Sequence, residues 1–180
     1  MMSLISKHLI SIAVSLFIIT GVSVARNAGD DDKTVQIQAL IGESMSKVDN
    51  TPESMLNCIA ELKRIEAMFP DSSLPKYQAA FMSLNYAVSF PHAENTATIM
   101  AGADELIGKM EKMKGADMSD VHTLKGFYYM VLIVRDPAAN GQKYYLDVMS
   151  SYEKALKINP GNELAKQLQA KFMDGMRQSR

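Results

Sequence analysis

The sequence predicts an all-α fold, and three observations carry that prediction. Apolar residues recur at spacings of three and four in segment after segment, prolines stop those segments at fixed offsets, and capping residues stand where the next helix has to begin. The clearest stretch is Ser150 to Leu164. Tyr152, Ala155 and Ile158 share one helical face, and Glu153, Lys154 and Lys157 share the other. Pro160 ends that helix, and Asn162 is placed to cap the next one by accepting an orphan N–H of its first turn.

The same register appears a second time. Leu62 and Ile65 stand eight and five residues before Pro70, as Tyr152 and Ala155 stand before Pro160. Small residues follow at equal distance, Ala80 ten after the first proline and Ala170 ten after the second. The pattern Tyr-x-x-Ala-x-x-x-x-Pro with an Asn-led helix behind it resembles the tetratricopeptide repeat, a helix pair of about 34 residues that stacks into a solenoid. The resemblance covers roughly residues 51–176 and is strongest over 142–166. It implies a right-handed superhelix of about three helix pairs closed by a C-terminal capping helix. First helices are expected to begin near residues 33, 74, 120 and 163, spacings longer than the family's usual ~34. Asp136-Pro137 followed by Gly141-Gln142-Lys143-Tyr144 is also similar to small exported proteins of this repeat class from Bacteroidetes-like bacteria.

The chain begins with a segment set apart from the repeats. Lys7 and His8 precede an apolar run from Leu9 to Ile19, and Ser23-Val24-Ala25 offers the small residues a signal peptidase reads. The run is short against the ~20 residues of a spanning helix, so cleavage after Ala25 is expected. Export to the periplasm or cell envelope follows. Residues 26–32, with Asp30-Asp31-Asp32, read as a flexible acidic leader, and 33–180 as the repeat domain.

Within that domain a first helix is expected over Lys33–Lys47 with Val35, Ala39, Leu40 and Gly42 as its stripe. The Thr51-Pro52-Glu53 junction caps a second, running to Phe69 with Met55, Ile59, Leu62 and Ile65 inward. A third runs from Leu74 to Phe90, and a fourth from Ala93 to Lys114, ended by Gly115. Ser119 or Asp120 caps a fifth, Val121–Val134, which is so apolar that it belongs mid-stack. Asp136-Pro137 ends it, and Asn140-Gly141 turns the chain into a sixth, Lys143–Asn159. The last helix, Asn162–Met176, has only Leu164, Ala165, Leu168, Phe172 and Met173 to bury, as a terminal cap requires.

Composition excludes several kinds of partner and chemistry. The formal net charge is −1 over 180 residues, which provides neither the basic face nucleic acid needs nor a polybasic membrane patch. Cys58 is the one cysteine, so no internal disulfide can form, and its position predicts a buried, inert thiol. Beyond the leader the histidines are His92 and His122, too few and too far apart for ordinary zinc spacing. Met110, Met113 and Met118 with His122 are conceivable Cu(I) ligands, but the methionines continue the stripe of Ile99, Ala103 and Leu106 and read as packing. No Gly-x-Ser-x-Gly, Ser-x-x-Lys or Cys/His signature occurs, and Asp104, Glu105 and Glu111 fall on a solvent face. The three leader aspartates lack the spaced ligands of an EF-hand loop. Catalytic residues, metal ligands and cofactors are therefore expected to be none.

Surface remains. In the repeat family the first helix of each pair lines a concave groove, and the resemblance places Leu74, Tyr77, Phe81, Leu84 and Asn85 of the third helix there. With Gly126 as the small packing residue, Thr123, Phe127 and Met130 of the fifth join them. Such apolar and aromatic side chains suit capture of a peptide or helix. The expected function is an exported scaffold or protein-interaction module that binds neither nucleic acid nor, once the leader is removed, membrane. The alternatives are a helical-scaffold enzyme, a Met/His metal-handling protein, and a self-associating repeat.

Overall fold

A computed structural model describes residues 28–178, and over these every regular element is a helix. They are α1 (Ala28–Ser46), α2 (Pro52–Met68), α3 (Ser73–Ser89), α4 (Thr96–Lys112), α5 (Met118–Arg135), α6 (Pro137–Ile158) and α7 (Glu163–Gln178). The expected signal segment, residues 1–25, lies outside the described residues. α1 begins at Ala28, so most of the stretch read as leader is helical backbone.

Each helix packs on the next, and α1–α3, α3–α5 and α5–α7 also touch. The odd-numbered helices thus form a row of neighbours, with the even-numbered ones packed against them. α3 and α5 sit in the middle of this row, and both are buried on almost every face.

Local chemistry sets the boundaries. Thr51 accepts the Ser54 N–H at 3.2 Å and Pro52 follows it at the first helical position, as expected. Asn162 caps α7 by accepting the Ala165 N–H at 3.0 Å. Gly115 takes φ +88°, the left-handed conformation that ends the path of α4 at little cost to a residue without a Cβ.

Three expectations about the elements are corrected. The cap of α5 is Asp117, which accepts from Ser119 N at 2.8 Å and Asp120 N at 3.3 Å, so the helix starts earlier than Val121. α6 starts at Pro137, and Asn140-Gly141 lies inside it. Asp136 ends α5 and caps α6 at once, accepting from Ala139 N at 3.0 Å, while the Asn140 amide donates at 2.8 Å to the Leu132 carbonyl, which also accepts the Asp136 N–H at 3.3 Å. These bonds satisfy both helix ends across one residue, so no separate turn is needed. In α1 the inward residues are Ile37, Ile41 and Ser44, whereas Val35 is 63% exposed and Ala39 and Gly42 face solvent. Ile37 and Ile41, one turn apart, make a narrower stripe directed at α2 and α3.

The core is continuous from Ile37 to Phe172. Between α5 and α6 the Tyr152 ring fills the space a side chain at Gly126 would occupy. The buried cation of α3, Lys76, donates to the carbonyls of Pro70 and Ser72 and lies 3.3 Å from Glu66, so its charge is met by three oxygens. Ala80 is fully buried, whereas Ala170, its counterpart on α7, is exposed, since among the described residues no further helix packs beyond α7. Ile158, at the end of α6, is 53% exposed, so its face leaves the core there.

Candidate functional site

The row of odd-numbered helices brings the predicted aromatic residues together. Tyr77 and Phe81, one turn apart on α3, stack with ring centroids 6.1 Å apart and planes at 7°. Phe81 reaches across to Phe127 of α5, again 6.1 Å away and tilted by 53°. Three rings on two helices therefore form one series, at separations favourable for aromatic pairs.

Burial divides the eight residues expected at the groove. Leu84, Thr123, Phe127 and Met130 are inside the core, as are Asn85 and, nearly so, Tyr77 at 8% exposure. Leu74 and Phe81 are half-buried and keep an open side. The face presented to solvent is thus narrower than the register alone implies, because α1 lies against α3 and α7 against α5. Asn85 spends its amide on the Phe81 carbonyl at 2.9 Å, and the Thr123 hydroxyl donates to the Ser119 carbonyl at 2.8 Å. Both work inside the fold.

At the end of this strip stands a polar cluster that sequence reading did not assemble. The Asn162 amide of α7 donates towards Ser119 Oγ at 2.9 Å, Thr123 Oγ1 at 3.2 Å and Asp120 Oδ1 at 3.2 Å, while its own oxygen caps α7. One side chain thereby starts α7 and ties it to α5. The signals were present separately, as Asn162 for a cap and Asp117-Met118-Ser119-Asp120 for a helix start. Their meeting depends on the α5–α7 contact.

Electrostatics at the cluster are one-sided. Burial, reinforced by the charge of Asp117, pushes the Asp120 carboxyl up to about 6, and the hydrogen bond from Asn162 opposes that rise. Burial, then the charges of Asp120 and Asp117, hold the Tyr77 phenol well above its ordinary value. Among the described residues no lysine, arginine or histidine pairs with either aspartate. Elsewhere on α5, burial and the charges of Lys154 and Lys125 lower the His122 imidazole, and Lys125 itself bonds Glu111 of α4 at 2.6 Å.

The remaining reactive groups have structural surroundings. Cys58 is 3% exposed, and burial pushes its thiol up to about 11, which leaves little thiolate at neutral pH. The hydroxyls of Ser83, Ser119 and Ser151 donate to the carbonyls of Ala79, Ala155 and Asp147. Met100, Met110 and Met130 are fully buried packing residues. Among the described residues no three His, Cys, Asp or Glu side chains are grouped to hold a metal, and no helix is long and apolar enough to cross a membrane.

Comparison of the chain with protein-family models, with curated proteins and with solved structures found no match in any of the three. What the fold defines is an all-α chain of seven described helices; what the site defines is an aromatic strip with an acidic end.

Proposed function

We propose that this chain is an exported helical-repeat module that binds a segment of another protein in the cell envelope. In this reading α1–α2, α3–α4 and α5–α6 are tetratricopeptide-like pairs in a right-handed superhelix, and α7 is the terminal cap. Contacts between successive odd-numbered helices support that arrangement, as does the Tyr152–Gly126 contact at the position where the family keeps a small residue. The apolar run at Leu9–Ile19 with Ser23-Val24-Ala25 supports export.

The observation that carries the binding function is the ring series Tyr77–Phe81–Phe127, in which Phe81 and neighbouring Leu74 remain half-exposed. Interface energy concentrates in a few aromatic anchors seated among well-packed neighbours, and Phe81 is one held between two rings. A crosslinking pull-down from envelope extract with wild-type and Phe81→Ala baits tests it. The expected result is a specific partner whose recovery falls about tenfold with the variant, the effect of losing a modest hot spot. Equal recovery of the same proteins by both baits refutes the reading.

A further inference from the structure

α5 has a second open side. Lys125, Tyr128, Tyr129 and Leu132 follow the spacing of one helical face, and all four are half-buried on a helix that is otherwise in the core. At about 100° per residue that face lies roughly opposite Phe127, which meets Phe81. α4 and α6 flank it and have at most a marginal contact with each other, so a cleft floored by α5 runs between them. The Tyr144 ring of α6 stacks on Tyr129, with centroids 5.6 Å apart and planes at 20°, and Tyr129 meets Tyr128 edge-on at 5.8 Å. Lys143 Nζ lies 4.7 Å from the centre of the Tyr144 ring and forms no ion pair with a described residue. On the α4 side Lys125 and Glu111 neutralise each other at 2.6 Å.

The hydroxyls of Tyr128, Tyr129 and Tyr144 have no hydrogen-bond partner among the described residues. The one buried unpartnered side-chain atom there is Tyr152 Oη, so these three hydroxyls reach solvent. The cleft therefore offers ring faces, hydroxyl donors and one ammonium, while Glu111 at its edge is taken up by Lys125. A polyproline II segment has the matching chemistry. Its backbone makes no internal hydrogen bonds, so its carbonyls stay open as acceptors, and its prolines present apolar rings with no N–H to satisfy. It also arrives preordered, which lowers the entropic cost of binding on an aromatic platform. An oligosaccharide is the poorer match, because its hydroxyls need acceptors as well as donors. Even laid end to end, the two ring-to-ring steps are only a little longer than one polyproline turn of ~9 Å, so the platform serves a single turn. Another copy of this chain does not supply such a segment, since none of its six prolines stands closer than five residues to the next.

We propose that Tyr128, Tyr129 and Tyr144 form a platform for one turn of a proline-rich segment of another protein, held in the polyproline II conformation, with Lys143 placed for an acidic residue beside it. The site is separate from the Phe81 face, on the other side of α5, and stands or falls independently of it.

Fluorescence polarisation tests this with a labelled peptide, Ala-Pro-Pro-Ala-Pro-Glu-amide, and its counterpart bearing alanine for each proline. The proline peptide should bind at least about tenfold more tightly, the value of a preformed conformation with no N–H left unpaired. Tyr144→Ala should weaken it about tenfold, as loss of a modest aromatic anchor does. Tyr128→Phe/Tyr144→Phe keeps the rings and removes two donors, so it should weaken binding about fivefold and covers the case of an alanine variant whose circular dichroism shows lost helix. Glutamine for the peptide's glutamate should weaken binding to the parent protein and make no difference in Lys143→Ala. Phe81→Ala should leave the proline peptide's affinity unchanged. Equal affinity of the two peptides, or no binding of either up to about 1 mM, overturns the platform. Proline-peptide binding that ignores both sets of tyrosine substitutions, or falls as far in Phe81→Ala as in Tyr144→Ala, overturns its placement. Tyrosine fluorescence that responds to maltohexaose and not to the proline peptide overturns it in favour of a sugar.

Discussion

Tyr152 and Gly126 occupy each other's space: a Cβ built on Gly126 would lie 2.7 Å from Tyr152 Cε1 and 2.9 Å from Cδ1 and Cζ. Glycine in the middle of a helix ordinarily costs about 1 kcal/mol relative to alanine. Here it is what allows α5 and α6 to close, with the ring of a fully buried tyrosine as the opposing surface. Gly126→Ala should therefore destabilise the protein by about 1–3 kcal/mol despite the gain in helix propensity, the usual cost of overpacking. Urea unfolding followed by circular dichroism measures this, and an alanine variant as stable as the parent contradicts the packing argument.

The ring and the hydroxyl of Tyr152 have opposite effects. Its Oη is buried with no hydrogen-bond partner, so it carries a desolvation penalty. Tyr152→Phe keeps the ring on Gly126 and removes the penalty, so it should raise stability by about 1 kcal/mol. Tyr152→Ala should lower it by about 3 kcal/mol through the cavity it leaves. Comparing the two variants in one denaturation series separates ring from hydroxyl.

Asn162 is the joint between α7 and the rest of the stack. Asn162→Ala removes a helix cap, worth about 1 kcal/mol, together with the donor shared by Ser119, Thr123 and Asp120. The expected outcome is faster amide hydrogen exchange throughout α7 with α2 and α3 unchanged. Uniform acceleration over the whole chain contradicts an independent joint.

The acidic end predicts a pH dependence of stability. Asp120 has a folded-state value of about 6, above its usual 3.8, so it is the ionised form that folding disfavours. The penalty is absent below pH 3.8, grows between there and pH 6, and is complete above. Asp120→Asn should accordingly stabilise the protein at pH 7.5 by on the order of 1 kcal/mol, a figure reduced for partial solvent screening, and by nothing at pH 4. A stabilisation of equal size at both pH values assigns the effect to something other than the charge.

How much of this was legible in the sequence follows the range of each interaction. Thr51 and Asn162 were readable as caps because a cap is made within three residues of itself. Tyr77, Phe81 and Phe127 were readable as one strip because Pro70 set the register of α3, Gly126 that of α5, and neighbouring helices do the rest. The start of α6 was misread because Asn140-Gly141 is ordinarily a turn, and what makes it helical is Asp136 capping from four residues before and Leu132 accepting from eight before. The stripe of α1 was misread because its face is chosen by α2 and α3. The burial of Lys76 depends on carbonyls exposed by the Pro70 junction, and the narrowing of the open face depends on α1 and α7. None of these is visible from the apolar pattern of one segment.

The central claim is that a partner lies on the face centred at Phe81. Placing the photo-crosslinking residue benzoylphenylalanine at position 81, and separately at exposed Ala101 on α4, tests it in intact cells. The account predicts a discrete adduct with another protein from position 81 and none of that mass from position 101. The same adduct from both positions, no adduct from 81, or an adduct containing only two copies of this chain would contradict it.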